Sequence, residues 1–184
     1  MSRRTEDLTE TSKQHKEKAP RSLSFAVVTI STSRYRDLQA GKLVADESGD
    51  LIVKTLKDHG HNIAIQRLVT DNKSVIQETI REMLDSPEVD VIITCGGTGI
   101  TPADVTIEAV EPLLEKKLPG FGELFRHLTY QEIGSAAVMS RALGGVAKGK
   151  AVLCLPGSPH AVKLCLERLI LPETAHIVLH ARGT

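Results

Sequence analysis

The chain is poor in aromatic residues, at 3 % of 184 positions, and it has no Trp. Any core it builds must therefore be aliphatic, and the 41 % of apolar residues suffice for one. It has no excess of charge of either sign, because 23 Lys and Arg balance 23 Asp and Glu. That balance argues against a nucleic-acid footprint, while leaving room for a local basic pocket for a small anion. It has only three cysteines, Cys95, Cys154 and Cys165, and no CxxC pair. They read as small buried hydrophobes of a reduced protein, with Cys95 close to a glycine turn. No apolar run approaches the ~18 residues of a membrane span. The N-terminus lacks the apolar stretch of a secretory signal, so a cytoplasmic protein is expected.

Residues 1–22 are almost wholly polar and bury too little to offset their ordering entropy, so they read as an N-terminal tail. Residues 23–184 read as a single domain, a size usual for one core. Phe25-Ala26-Val27-Val28-Thr29-Ile30 is a continuous, β-branched run suited to a buried parallel strand. A polar loop is expected from Ser31 to Lys42. A helix then starts near Asp46 or Ser48 and stops before Gly60, a C′ glycine. A strand follows over Ile63–Val69, and the next helix is capped by Asp71 or Asn72. Its apolar residues Ile76, Ile80, Met83 and Leu84 have helical spacing. Val89–Thr94 reads as a strand and Thr106–Glu111 as a helix that Pro112 kinks. Another helix opens at Gly120, and a short strand covers Ser140–Val146. Gly149-Lys150 turns into the strand Ala151–Leu155. Ser158 and Pro159 have the types wanted at the cap and first position of a last helix. Alternating strands and helices predict a three-layer α/β/α fold with a mostly parallel sheet.

The most informative stretch is Thr94-Cys95-Gly96-Gly97-Thr98-Gly99, which follows an apolar strand and precedes Asp104. Three glycines in four residues allow a sharp turn and a close approach of backbone N–H groups to a ligand. An anion such as phosphate is the usual ligand of such a turn. The turn is not a Walker A loop, since no Lys-Ser or Lys-Thr follows. It is not the dinucleotide fingerprint, since Pro102 stands where a third glycine would fall. In parallel sheets ligands sit beyond the carboxyl ends of the strands. Asp46-Glu47-Ser48-Gly49, Asp71, the glycine turn with Asp104, and Pro156-Gly157-Ser158-Pro159 all converge on that rim.

Those segments, with Gly120-Phe121-Gly122-Glu123 and Ser140-Arg141, resemble the MogA and MoaB proteins, the molybdopterin-binding family of molybdenum cofactor biosynthesis. The resemblance runs from about Phe25 to the last helix. Gly120–Arg126 and Glu132-Ile133-Gly134 are more similar to MoaB. It implies a molybdopterin adenylyltransferase that uses ATP and Mg²⁺, and a homo-oligomer, trimer or hexamer. A molybdenum insertase is an implied partner. The family's two essential aspartates fall on Asp71 and Asp104, and a pterin-side serine on Ser140. The first loop departs from the pattern: Ser31-Thr32-Ser33-Arg34 stands where the family often has an Asp after the Ser.

A phosphate monoester has a second pKa of about 6, so as a nucleophile it needs no general base. The task is to bring anions together and neutralise them. Asp104 and Asp71 therefore read as metal-holding or substrate-positioning groups. Asp71 reads equally as a helix cap from the residues alone. Substrate contacts are expected from Gly96, Gly97, Thr98, Gly99, Ser140, Asp46, Ser48, Gly49, Pro156, Gly157 and Ser158, although Ser48 and Ser158 also suit caps. Arg34 and Arg36 read as loop charges or phosphate partners. Phe121, Leu124 and Phe125 are expected at a surface used for assembly. The alternative readings are a non-catalytic MoaB-like protein that binds pterin or a partner, a related domain of insertases or CinA-like proteins, and a structural oligomer subunit.

Overall fold

The apolar runs lie side by side as one sheet in the computed structural model, which describes residues 20–183. Its strands are β1 (Ser24–Ile30), β2 (Asn62–Val69), β3 (Val91–Cys95), β4 (Lys116–Lys117), β5 (Leu143–Ala147) and β6 (Lys150–Leu155). Their order is β2-β1-β3-β6-β5-β4. The first four are parallel, and β5 and β4 extend the sheet in antiparallel pairing. This is the mostly parallel α/β/α arrangement expected from the alternation of elements. The tail read over residues 1–22 lies outside the described residues up to position 19.

Helices cover both faces: α1 (Thr32–Gln39), α2 (Glu47–Asp58), α3 (Lys73–Asp85), α4 (Thr106–Val110), α5 (Pro119–Ile133), α6 (Pro159–Cys165) and α7 (Leu171–Ala181). The central strands are apolar on both sides, and their period of two divides the core. Phe25 and Val27 of β1 pack with Ile52 and Leu56 of α2 and with Phe125 of α5. Ala26, Val28 and Ile30 pack with Ile76, Ile80 and Met83 of α3. His61 is structural: its ring lies 5.2 Å from that of Phe25 and its Nδ1 accepts from the Leu23 N–H.

Several local expectations are corrected. Ser31–Lys42 is not a loop, since Thr32–Gln39 is helical with Ser31 as its cap. No residue of α1 is buried, so it has no apolar stripe to announce it. Phe121 and Phe125 face the core, with Thr129 continuing the same i, i+4 face, and only Leu124 is exposed, at 54 %. The β5–β6 turn is Lys148-Gly149, both at positive φ (50° and 71°), and Lys150 already belongs to β6. The edge strand β4 is two residues long and has no sequence period to reveal it.

Candidate functional site at the strand ends

Parallel pairing brings the ends of β1, β3 and β6 to one edge, with Cys95 in register with both Thr29 and Leu155. The glycine turn begins there. The Gly96 N–H donates to the Leu155 carbonyl at 3.1 Å. Gly96 and Gly97 have φ of +105° and +61°, which side chains other than hydrogen rarely adopt. A Cβ on Gly96 would stand 2.3 Å from the Ile30 carbonyl oxygen, so the turn lies directly on the end of β1. Thr106, the first residue of α4, latches the turn. Its Oγ1 donates to the Gly96 carbonyl and its N–H to the Gly97 carbonyl, both at 2.9 Å. The N–H groups of Gly97 and Thr98 make no hydrogen bond among the described residues. Adjacent N–H groups left in this way form a nest suited to an anion.

The second turn, Pro156-Gly157-Ser158, meets the first backbone to backbone. A Cβ on Gly157 would stand 3.2 Å from Gly96 Cα. The buried Ser48 Oγ donates to the Gly157 carbonyl at 2.8 Å, tying the start of α2 to a turn 109 residues away. Ser158 caps α6 by accepting from the Ala161 N–H, with Pro159 at the first helical position, as its residue types suggested.

Between the two turns, α5 and the 3₁₀ segment Gly134–Met139 lies a cavity of about 550 Å³. Gly96–Gly99, Asp104, Thr129, Ser140, Arg141, Pro156–Ser158 and His160 line it together with the apolar Phe125, Ile133, Ala136, Met139, Ala161 and Leu164. Asp104 Oδ2 accepts from Thr101 Oγ1 at 2.6 Å and from the Thr101 N–H at 2.9 Å. The Thr101 hydroxyl holds its carboxyl below the ordinary 3.8, helped by the N–H groups of Thr101 and Gly99 and the charge of Arg141.

The remaining candidates do not line this cavity. Asp71 does not cap α3, because Asn72 does so through its Oδ1. Asp71 Oδ2 instead accepts from the Thr32 N–H at 2.6 Å and Oγ1 at 2.8 Å, while the Asp71 N–H donates back to Thr32 Oγ1. Its Oδ1 faces the glycine turn, 2.8 Å from where a Cβ of Gly97 would be. Asp71 thus adjoins the turn at Gly97 and Asp104 adjoins it at Gly99, where a Cβ would lie 2.7 Å from Asp104 Oδ2. Asp46 caps α2 by accepting from the Gly49 N–H at 3.1 Å, and its Oδ2 accepts from Thr29 Oγ1 at 2.5 Å. Gly49 sits against that pair, since a Cβ there would lie 2.2 Å from Asp46 Oδ2. Arg34 and Arg36 lie on α1, away from the cavity lining. The Cys95 thiol is pushed up to about 12, first by burial and then by the charge of Asp46, so it is no nucleophile.

A family profile described as "Probable molybdopterin binding domain" matches residues 26–176. The chain belongs to that family. It is 45 % identical over 165 residues to molybdenum cofactor biosynthesis protein B of Bacillus cereus, covering 89 % of this chain and 94 % of that protein. It is 42 % identical over 162 residues to a probable molybdopterin adenylyltransferase of Methanocaldococcus jannaschii, covering 88 % and 96 %. The tungsten cofactor synthesizing protein MoaB of Pyrococcus furiosus superposes with a TM-score of 0.77 at 39 % identity, over 89 % and 99 % of the two chains.

Arg141 and Thr101 are two groups at the site that have no role from the sequence alone. Arg141 appears in the motif Ser140-Arg141, and nothing in its spacing shows that it borders the same cavity as Asp104. Thr101 is legible in principle, as a Thr three residues before an Asp in a turn. Among the described residues no group of three His, Cys, Asp or Glu side chains could hold a metal ion. The cavity lining offers one carboxylate, Asp104, and a Mg²⁺ carried on phosphates would need only one or two from protein.

Proposed function

We propose that the protein is a molybdopterin adenylyltransferase of molybdenum cofactor biosynthesis. The observation that carries this reading is the cavity at the strand ends. It gathers a turn with two unbonded N–H groups, a carboxylate and apolar side chains in one cavity. Such a site suits a ligand with a flat ring system at one end and phosphate at the other. Family membership and the name of the Methanocaldococcus jannaschii relative support the identity of that ligand.

In the reaction, an oxygen of the pterin's terminal phosphate attacks the α-phosphorus of ATP. The new P–O bond gives adenylated molybdopterin. The bond from the α-phosphorus to the bridging oxygen breaks, and pyrophosphate leaves with its electron pair. The nucleophile is ionised at neutral pH, so no side chain must remove a proton. The chain's contribution is placement and charge. The N–H groups of Gly97 and Thr98 orient a phosphate, while Ser140 and the Pro156–Ser158 turn border it. Ser48 supports the second turn through the Gly157 carbonyl, and Asp46 with Gly49 fixes the start of α2 against Thr29. Asp104 and Asp71 are the residues that would hold Mg²⁺, which when bound to the triphosphate neutralises its charge. A trimeric or hexameric assembly, a cytoplasmic setting and delivery of the product to a molybdenum insertase belong to the same reading.

The test is incubation of the purified protein with molybdopterin and Mg-ATP, followed by chromatography for adenylated pterin and pyrophosphate. Both products are expected in equal amounts. Pterin binding without AMP transfer would overturn the enzyme and leave a non-catalytic binding protein.

A further inference from the structure

Arg141 is the one lysine or arginine among the described residues that line the cavity. One nitrogen of its guanidinium is engaged outside the cavity. Its Nη2 donates to Glu108 Oε1 at 2.5 Å, and Glu108, on α4, is not among the lining residues. The cavity's permanent cation is thus held by a carboxylate outside it. That hold is weak, because the two side chains are 31 % and 48 % exposed and pairs so exposed contribute little. The charge of Arg141 also reaches Asp104. Asp104 repels any bare anion brought to the glycine turn, and the turn itself offers only neutral N–H donors. A phosphate that enters without a metal ion is drawn to the cation of the cavity wall, and its oxygens match the planar fork of a guanidinium better than one exposed carboxylate does.

We propose that Arg141 recognises the phosphate group of the substrate, and that Glu108 competes with that phosphate for the guanidinium and so sets the affinity of the cavity. The proposal rests on the reading that the cavity takes a phosphorylated ligand. The shared chemistry is phosphate, carried either by the nucleoside triphosphate or by the pterin monoester.

Calorimetric titration of the full chain with ATP, adenosine and molybdopterin separates the two. Arg141→Met is expected to weaken ATP or molybdopterin binding about ten- to a hundredfold, the loss of a charged hydrogen bond. The ligand that weakens identifies the source of the phosphate. Adenosine binding is expected to stay unchanged. Arg141→Lys recovers part of the loss, since it restores charge without the fork. Glu108→Gln is expected to tighten the same ligand about two- to fivefold, the range of an exposed ion pair. Wild-type affinity of Arg141→Met for both phosphorylated ligands overturns the proposal, as does an equal loss for adenosine. Weaker binding by Glu108→Gln overturns the competition. The adenylyl-transfer assay separates this inference from the function. Absence of transfer with Arg141-dependent binding removes the enzyme alone. Transfer by Arg141→Met at wild-type KM removes this inference alone.

Discussion

Replacing Gly97 by Ala tests whether the glycine turn is held as described. Gly97 has φ of +61°, where an L side chain costs about 1–2 kcal/mol. The new methyl would also stand 2.4 Å from Thr106 Oγ1 and 2.8 Å from Asp71 Oδ1. Neither neighbour moves freely. Thr106 Oγ1 is bonded to the Gly96 carbonyl, and Asp71 is bonded to Thr32. Displacing the Thr106 hydroxyl removes one hydrogen bond, worth about 0.5–1.5 kcal/mol. Together the two effects give about 1.5–3.5 kcal/mol, or a fall in melting temperature of about 3–14 °C for a domain of this size. Thermal and urea unfolding followed by circular dichroism measure this directly. The origin of the loss is tested in the Thr106→Ala background, where the obstructing oxygen is gone. There Gly97→Ala should cost about 1 kcal/mol less, a coupling usual for residues in contact. A Gly97→Ala protein that melts within a degree of wild type would refute the account of the turn. An unchanged cost in the Thr106→Ala background would refute the role given to Thr106.

Other substitutions and reagents probe the remaining parts. Asp104→Asn keeps the shape of the Thr101 contacts and removes the charge. It should lower adenylyl transfer by about a hundredfold, the scale of one lost electrostatic group, with little change in melting temperature. Because the folded-state pKa of Asp104 lies below the ordinary 3.8, its charge and its stabilising contribution are present above that value. Both are lost only as pH falls through the lower folded pKa, so a pH–rate profile should show no decline from this group between pH 7 and 5. A fall in rate centred near pH 6 that disappears in Asp104→Asn would contradict that assignment. Ser48→Ala removes the donor to the Gly157 carbonyl and should destabilise the fold by about 0.5–1.5 kcal/mol in urea unfolding. An unchanged urea midpoint would show that the tie between α2 and the second turn is unimportant. All three cysteines are buried, and burial pushes each thiol up to about 12, so Ellman's reagent at pH 7.5 should react only after denaturation.

The central strands and the two strand-end turns are written locally. Phe25–Ile30, Val91–Cys95 and Ala151–Leu155 are largely apolar on both faces, as burial in a parallel sheet requires. Gly96 and Gly97 are needed where the backbone turns left-handed, and Ser158-Pro159 starts α6 by its own chemistry. These signals act over a few residues, so the chain order alone reveals them. The helix α1 was hidden because its start depends on Ser31 and on Asp71, which lies 39 residues beyond Thr32. The inward face of Phe121 and Phe125 depends on where α5 lands on the sheet. The division of the candidate residues was decided in the same way. Asp104, Ser140 and the two turns share a cavity, Asp71 meets the glycine turn at Gly97 without lining that cavity, and Ser48 holds the Gly157 carbonyl. The strand order β2-β1-β3-β6 sets these neighbours, because it brings together strand ends that are far apart in the chain. Periodicity and turn chemistry report which face a residue occupies, and only the packed sheet reports what stands opposite it.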